Sequence, residues 1–135
     1  LTPSSPIIEN LAYVNGLEWK GSGTLMWHVE DWTAAWTTTF YDSYFVGAAG
    51  SSANAGLIAS QGSATVPSQT YHDLYVAYRF NVQTADESST DAEVRLGVRN
   101  IFGEEPPMDV NANNFYSPFG DARVSTYYVT LRKSF

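Results

Sequence analysis

From Leu17 onward, apolar and polar side chains change places with a period of two, the signature of a strand with two different faces. Leu17, Trp19, Leu25, Trp27 and Val29 share one face of the first segment, and Glu18, Lys20, Ser22, Thr24, Met26 and His28 share the other. Glu30-Asp31 is a polar break of hairpin length. A second segment from Trp32 to about Val46 puts Trp32, Ala34, Trp36, Thr38, Phe40 and Tyr44 opposite Thr33, Ala35, Thr37, Thr39, Tyr41 and Ser43. A third, Thr70 to Val82, alternates Leu74, Val76, Tyr78 and Phe80 with Asp73, Tyr75, Ala77 and Arg79. A fourth, Ala92 to Phe102, alternates Val94, Leu96 and Val98 with Glu93, Arg95, Gly97 and Arg99. The last, Arg123 to Phe135, sets Tyr127, Val129, Leu131 and Phe135 against Thr126, Thr130, Arg132 and Ser134. The pattern predicts an all-β chain of five long antiparallel strands in sequence order, with no helix longer than two turns. Residues 1–16, with two prolines and Asn15-Gly16, read as a lead-in; 47–67 and 103–121 read as long loops and 83–91 as a polar turn.

The predicted strands are 10–15 residues long, against about 5–6 for a strand in a globular domain. A strand that crosses a bilayer at a tilt needs about 9–11. The connections also fall into two classes. Those at one end, 30–31 and 83–91, are short, and those at the other, 47–67 and 103–121, are long. Transmembrane barrels have short periplasmic turns and long outer loops. Lys20, Arg79, Arg95 and Arg99 all fall on the polar face, as the cost of about 2–4 kcal/mol for a cation at the lipid-facing midplane demands. Lys133 is the exception; it stands near the chain end, where its stem can reach the headgroups. The apolar set Leu74, Val76, Tyr78, Val94, Leu96, Val98, Val129 and Leu131 is expected to face lipid, and Arg79, Arg95 and Arg99 the lumen. Five strands do not close a barrel, so residues 17–135 are expected to be the C-terminal strands of a larger one.

Composition narrows the chemistry. With 135 residues, no cysteine and a formal charge of −7, the chain has no thiol catalysis or cysteine-ligated zinc, and nucleic acid is not an expected partner. A segment long and apolar enough for a membrane-spanning helix is absent from the sequence. The aromatic content, four Trp, nine Tyr and seven Phe, suits the girdles of a membrane barrel.

Within the fourth segment and after it, Arg95-Leu-Gly-Val-Arg-Asn-Ile-Phe-Gly-Glu-Glu-Pro-Pro107 resembles the penultimate strand of TonB-dependent outer-membrane receptors. Gly97, Val98, Asn100, Phe102, Pro106 and Pro107 match that pattern; Ile101 replaces the usual Leu and Gly103 the usual Asp. Pro67-Ser68 leading into Tyr71, Asp73, Tyr75, Tyr78 and Phe80 resembles the preceding strand, and Trp27…Trp32 with Tyr41 and Tyr44 the hairpin before it. Gly120-x-x-Arg123 running to a terminal Phe resembles the last strand, from which Lys133 departs. The resemblance covers about 17–135. It implies a twenty-two-stranded barrel closed by a plug, residence in the bacterial outer membrane, and import of a scarce solute of siderophore, vitamin or carbohydrate class. It implies as partners the outer-membrane lipid, the remaining barrel strands, the plug, the inner-membrane TonB system contacted through that plug's TonB box, and the barrel-assembly machinery, which reads Phe135. A passive porin-like barrel and a soluble carbohydrate-binding β module are the competing readings.

No catalytic constellation emerges: no nucleophile elbow frames Ser43, Ser68 or Asp73, so no enzyme, cofactor or metal is expected. Asp109-Val-Asn-Ala-Asn113 opens like a calcium loop, but Asn114 stands at its sixth position and Gly120 at its twelfth, where Gly and Glu belong. His28 and His72 stand on different strands without a second ligand at metal spacing. Trp27 and Trp32 flank the short turn and fit a periplasmic girdle better than a sugar platform. Phe115, Tyr116 and Phe119 lie in a long outer loop and are the candidate ligand-binding residues. Arg95 and Arg99 face the lumen, where pairing with Glu93, Asp73 or a plug carboxylate competes with binding an anionic solute.

Overall fold

A computed structural model describes residues 16–47, 54–83 and 89–133. It contains seven strands and one helix: β1 (Lys20–Val29), β2 (Trp32–Tyr41), β3 (Tyr44–Phe45), α1 (Asn54–Gln61), β4 (Thr65–Val66), β5 (Gln69–Gln83), β6 (Ser89–Arg99) and β7 (Thr126–Lys133). The five long strands form one sheet in the order β1-β2-β5-β6-β7, and β3 pairs with β4 in a separate two-stranded sheet. The chain is therefore all-β with one short helix, and its long strands are neighbours in sequence order. By internal contacts it divides into a loop unit, the described parts of 1–21, 40–69 and 105–122, and a sheet unit, those of 22–39, 70–104 and 123–135.

In the sheet unit the register confirms the two faces. Leu74, Val76 and Tyr78 lie opposite Val98, Leu96 and Val94 of β6, and these lie opposite Tyr127, Val129 and Leu131 of β7. Directly opposed residues of an antiparallel pair point the same way, so all nine share one face. Trp32 of β2 joins them, its ring 4.6 Å from that of Tyr78. The polar face carries its own cross-strand contacts: Thr24 bonds Thr37 at 2.9 Å and Thr33 bonds His28 at 2.9 Å. There Arg79, Glu93 and Arg132 form one rung across three strands. Among the described residues the buried hydrophobic side chains of this unit are only Ala35 and Ala77.

Several expected boundaries move. The second strand does not run to Val46; Asp42-Ser43 ends it, and Tyr44 enters β3 with its ring fully buried rather than joining the apolar face. The fourth strand stops at Arg99, because Asn100 adopts a left-handed φ of 52°, which ends strand pairing and suits Asn better than most residues. The last strand begins at Thr126, after a left-handed Val124. The pairing of β5 with β6 reaches Gln83↔Ser89, so four of the residues read as turn, Gln83, Ser89, Thr90 and Asp91, are strand; residues 84–88 lie outside the described ones, as do 1–15, 48–53, Ser134 and Phe135.

The largest correction concerns 47–67, read as loop. It contains α1, eight residues and just over two turns, and then β4. Ala55, Leu57 and Ala59 are good helix formers. Gly62 stops the helix with φ 79° and donates its N–H to the Ile58 carbonyl at 2.8 Å, a left-handed cap. Leu57 packs on the core of the loop unit, which is built of Tyr44, Val46 and Val66 with Leu17 and Phe119. Packing, not propensity alone, holds so short a helix. Among the described residues no helix is long and apolar enough to cross a membrane, which says nothing of crossing by strands.

Candidate functional site

The candidate ligand residues sit on a hairpin of the loop unit, residues 107–117. Ser117 N–H donates to the Pro107 carbonyl at 2.9 Å and Asp109 N–H to that of Phe115 at 3.0 Å, and Met108 bridges Tyr116 between them. The tip turns tightly, with Ala112 N–H on the Asp109 carbonyl and Phe115 N–H on that of Ala112. Phe115 has a left-handed φ of 61°, a conformation that costs an aromatic residue free energy and persists only where the surroundings enforce it.

What enforces it is a buried polar base. Tyr44 donates its phenol proton to Asp109 Oδ2 at 2.7 Å, and Asp109 Oδ1 accepts the Asn111 N–H at 2.9 Å. Gln69 Nε2 donates to Ser117 Oγ at 2.5 Å. From the end of α1, Gln61 imitates a neighbouring strand: its Nε2 donates to the Met108 carbonyl at 2.7 Å and its Oε1 accepts the Val110 N–H at 3.0 Å. Asn111 donates its side-chain amide to the Val46 carbonyl. Asp109 and Ser117 are each 1% exposed. Burial pushes the Tyr44 phenol well above the usual tyrosine range; its hydrogen bond with Ser117 acts in the opposite sense, while the Asp109 carboxylate raises it further.

Within the run Asp109–Asn113, which opens like a calcium loop, both Asp109 oxygens are engaged inside the unit, Oδ2 by the Tyr44 hydroxyl and Oδ1 by the Asn111 N–H. Among the described residues no group of three metal-ligating side chains converges. The three aromatic candidates also separate. Phe115 and Tyr116 are exposed, 63% and 40%. Phe119 instead stacks on Tyr41 at 5.4 Å and meets Tyr44 edge-on at 5.6 Å, which makes it part of the core beneath the hairpin rather than a ligand contact.

In the sheet unit Arg79, Arg95 and Arg99 lie on the polar face, as the alternation demands. Arg95 bonds Glu93 at 3.1 Å and lies 4.2 Å over the Tyr75 ring. Arg99 lies 5.7 Å over Tyr128, whose ring fills the space that Gly97 leaves open. Asp73, weighed as a partner for these arginines, instead accepts the Asn100 N–H at 2.9 Å. Asn100 is the residue whose role the alternation did not disclose. Its amide bonds both backbone groups of Glu104, and its carbonyl accepts from Gly103 N–H and Ser125 Oγ. The sequence signal was Asn within Asn-Ile-Phe-Gly, a residue tolerant of a left-handed turn ahead of a glycine.

His72 belongs to a third cluster. Its Nδ1 accepts from Trp36 Nε1 at 3.2 Å and bonds Thr38 Oγ1 at 2.9 Å, and Phe102 meets its ring edge-on at 5.2 Å. Comparison of the chain with protein-family profiles, with curated proteins and with solved structures finds no match.

Proposed function

We propose that this chain is the C-terminal wall of an outer-membrane β-barrel of the TonB-dependent receptor type, a transporter of a scarce solute rather than an enzyme. The observation that carries the reading is the uncovered apolar face of the sheet unit. Leu25, Trp27, Val29, Leu96, Tyr127, Val129 and Leu131 are all about half exposed or more, from 49% for Trp27 to 80% for Tyr127. Contiguous exposed apolar surface of this extent has to be covered by something, and Arg79, Glu93, Arg95, Arg99 and Arg132 of the same strands point away from it, Lys133 at the end of β7 being the exception. Lipid is the cover that fits a face built of alternate residues of every long strand.

The height of the face agrees. On β5 it is bounded by His72 in the Trp36–Phe102 cluster and by Phe80, which stacks on Tyr78 at 6.0 Å. Those eight steps span about 27 Å along a strand at ~3.4 Å per residue. At a tilt of about 40° that is about 21 Å of membrane normal, close to the apolar band of roughly 25 Å between the aromatic girdles of such barrels. Trp32 with Tyr78 at the short-turn end, and Trp36 with Phe102 beyond, occupy girdle positions. The Gly97–Pro107 run adds the family resemblance, which separates a receptor from a passive porin. The unpaired edges of β1 and β7 are where the remaining strands of the barrel would join.

The test is depth-resolved quenching in the full-length parent protein, reconstituted in liposomes with brominated acyl chains. Trp27, kept as the single tryptophan, should be quenched strongly and should resist a water-soluble quencher. The reverse result would make the face a protein-covered or solvated one. Uptake that continues without the energised inner-membrane system would favour the porin.

A further inference from the structure

We infer that the hairpin 107–117 is a preformed carbohydrate-binding element, its ligand a neutral sugar ring seated on Phe115 and Tyr116. This deepens the transport reading above, and rests on it only for the direction in which the ligand is carried. Phe115 is the better part of the observation. It holds a strained left-handed backbone, yet its ring is not packed into the core but 63% exposed. A chain that needed only a turn there would be served by glycine. The ring is therefore displayed, and by a rigid base: both backbone groups of Phe115 are bonded within the hairpin, and Asp109, Ser117, Gln61 and Tyr44 fasten the hairpin below. Met108, 48% exposed, lies opposite Tyr116 across the hairpin through a backbone bridge.

The surroundings select the ligand class. Between Pro107 and Gly120 there is no Lys, Arg or His and the single carboxylate is Asp109, which is buried and bonded. An anionic or cationic solute therefore finds no countercharge on the hairpin. The polar groups beside the rings are side-chain amides. Asn113 is exposed and makes no side-chain hydrogen bond among the described residues. Asn114 is exposed too, and its Oδ1 accepts the Tyr116 N–H at 3.4 Å. Aromatic faces that accept an apolar C–H surface, edged by amides that both donate and accept, match a pyranose with its C–H face and its rim of hydroxyls.

The experiment uses the full-length protein, folded in detergent and checked by its heat-modifiable migration, titrated calorimetrically with maltohexaose, cellohexaose and xylohexaose, and with citrate as an anionic probe. At least one oligosaccharide should bind, and Phe115→Gly should weaken it about ten-fold, the loss of one stacking contact. That variant removes the backbone strain, so the fold should persist or gain stability, and lost binding is then not lost folding. Phe115→Trp should keep affinity, and Asn113→Ala should weaken it less than Phe115→Gly. A folded protein that binds none of the three sugars, or whose sugar binding survives Phe115→Gly, overturns the inference while leaving the barrel intact. Citrate binding that depends on Phe115 overturns it as well. A protein that never shows a heat-modifiable barrel refutes the transport reading instead, and the same titration on the soluble chain then decides the sugar site separately.

Discussion

The loop unit and the sheet unit handle burial in opposite ways. The sheet unit has long strands and continuous ladders, yet among its described residues the buried hydrophobic side chains are two alanines. The loop unit has two-residue strands and one short helix, yet it holds the fully buried Tyr44, Val46, Val66, Asp109 and Ser117. Loops are ordinarily the mobile, unpacked part of a fold, and strands the packed part. Here the described strands carry their apolar side chains on one largely exposed face, and little of that surface is buried within the unit. The described loop residues instead bury their apolar and polar groups among themselves, in a small core and a polar network. The difference teaches that a region's order follows from where its apolar surface can go, not from whether it is strand or loop.

The largest effect expected from breaking this contrast comes from charging the outer face. Leu96 lies between Val76 and Val129 in the register. Leu96→Arg should destabilise the reconstituted parent by about 2–4 kcal/mol in urea unfolding, the cost of a cation in the hydrocarbon. A change within about 0.5 kcal/mol is what a water-facing position would give.

Next is the hinge between β6 and the following turn. Asn100→Ala should cost about 2–3 kcal/mol, because it strips Glu104 of both partners and puts alanine at a left-handed φ. Asn100→Gly should recover the backbone part only. Equal losses for the two variants would show that the amide alone matters.

Tyr44→Phe isolates the loop unit. It leaves the buried Asp109 carboxylate short of one donor, at about 1–2 kcal/mol. Hydrogen exchange should quicken across 54–69 and 105–119 while β6 and β7 keep their protection. The unit also has an alkaline limit. Because the folded phenol holds its proton above the usual tyrosine value, near 10 in an unfolded chain, its stabilisation is complete below about pH 10 and is lost as the pH rises further. Tyr44→Phe should abolish that slope; a slope that remains would assign it to another group.

The smallest effect concerns the polar wall. A methyl at Gly97 meets the Tyr128 ring, so Gly97→Ala should cost about 1 kcal/mol by overpacking. Tyr128→Ala in the same background should relieve most of it, and a double-mutant cycle reads the coupling directly. Additive losses would mean that the ring does not depend on the notch.

The alternation of Leu, Val, Trp and Tyr with Thr, Arg and Glu was enough to specify the five long strands, their order and the sides on which Leu96 and Arg95 point. A period of two is a local property, and a one-residue slip would turn every side chain to the wrong face. The helix at Asn54–Gln61 was not legible, although its glycine stop was in plain view, because eight small uncharged residues gain helicity only from the Tyr44–Val66 core on which Leu57 rests. The same holds for the candidate site. The sequence drew attention to Phe115, Tyr116 and Phe119 as a set, since all three stand in one long loop. Only the tertiary structure could divide them, packing Phe119, partly buried, against Tyr41 and Tyr44 and leaving Phe115 displayed on a strained turn. It likewise joined Asp109 to Tyr44, 65 residues away in sequence. Face and register depend on neighbours along the chain, whereas the burial of a loop side chain depends on partners that the chain brings back from far away.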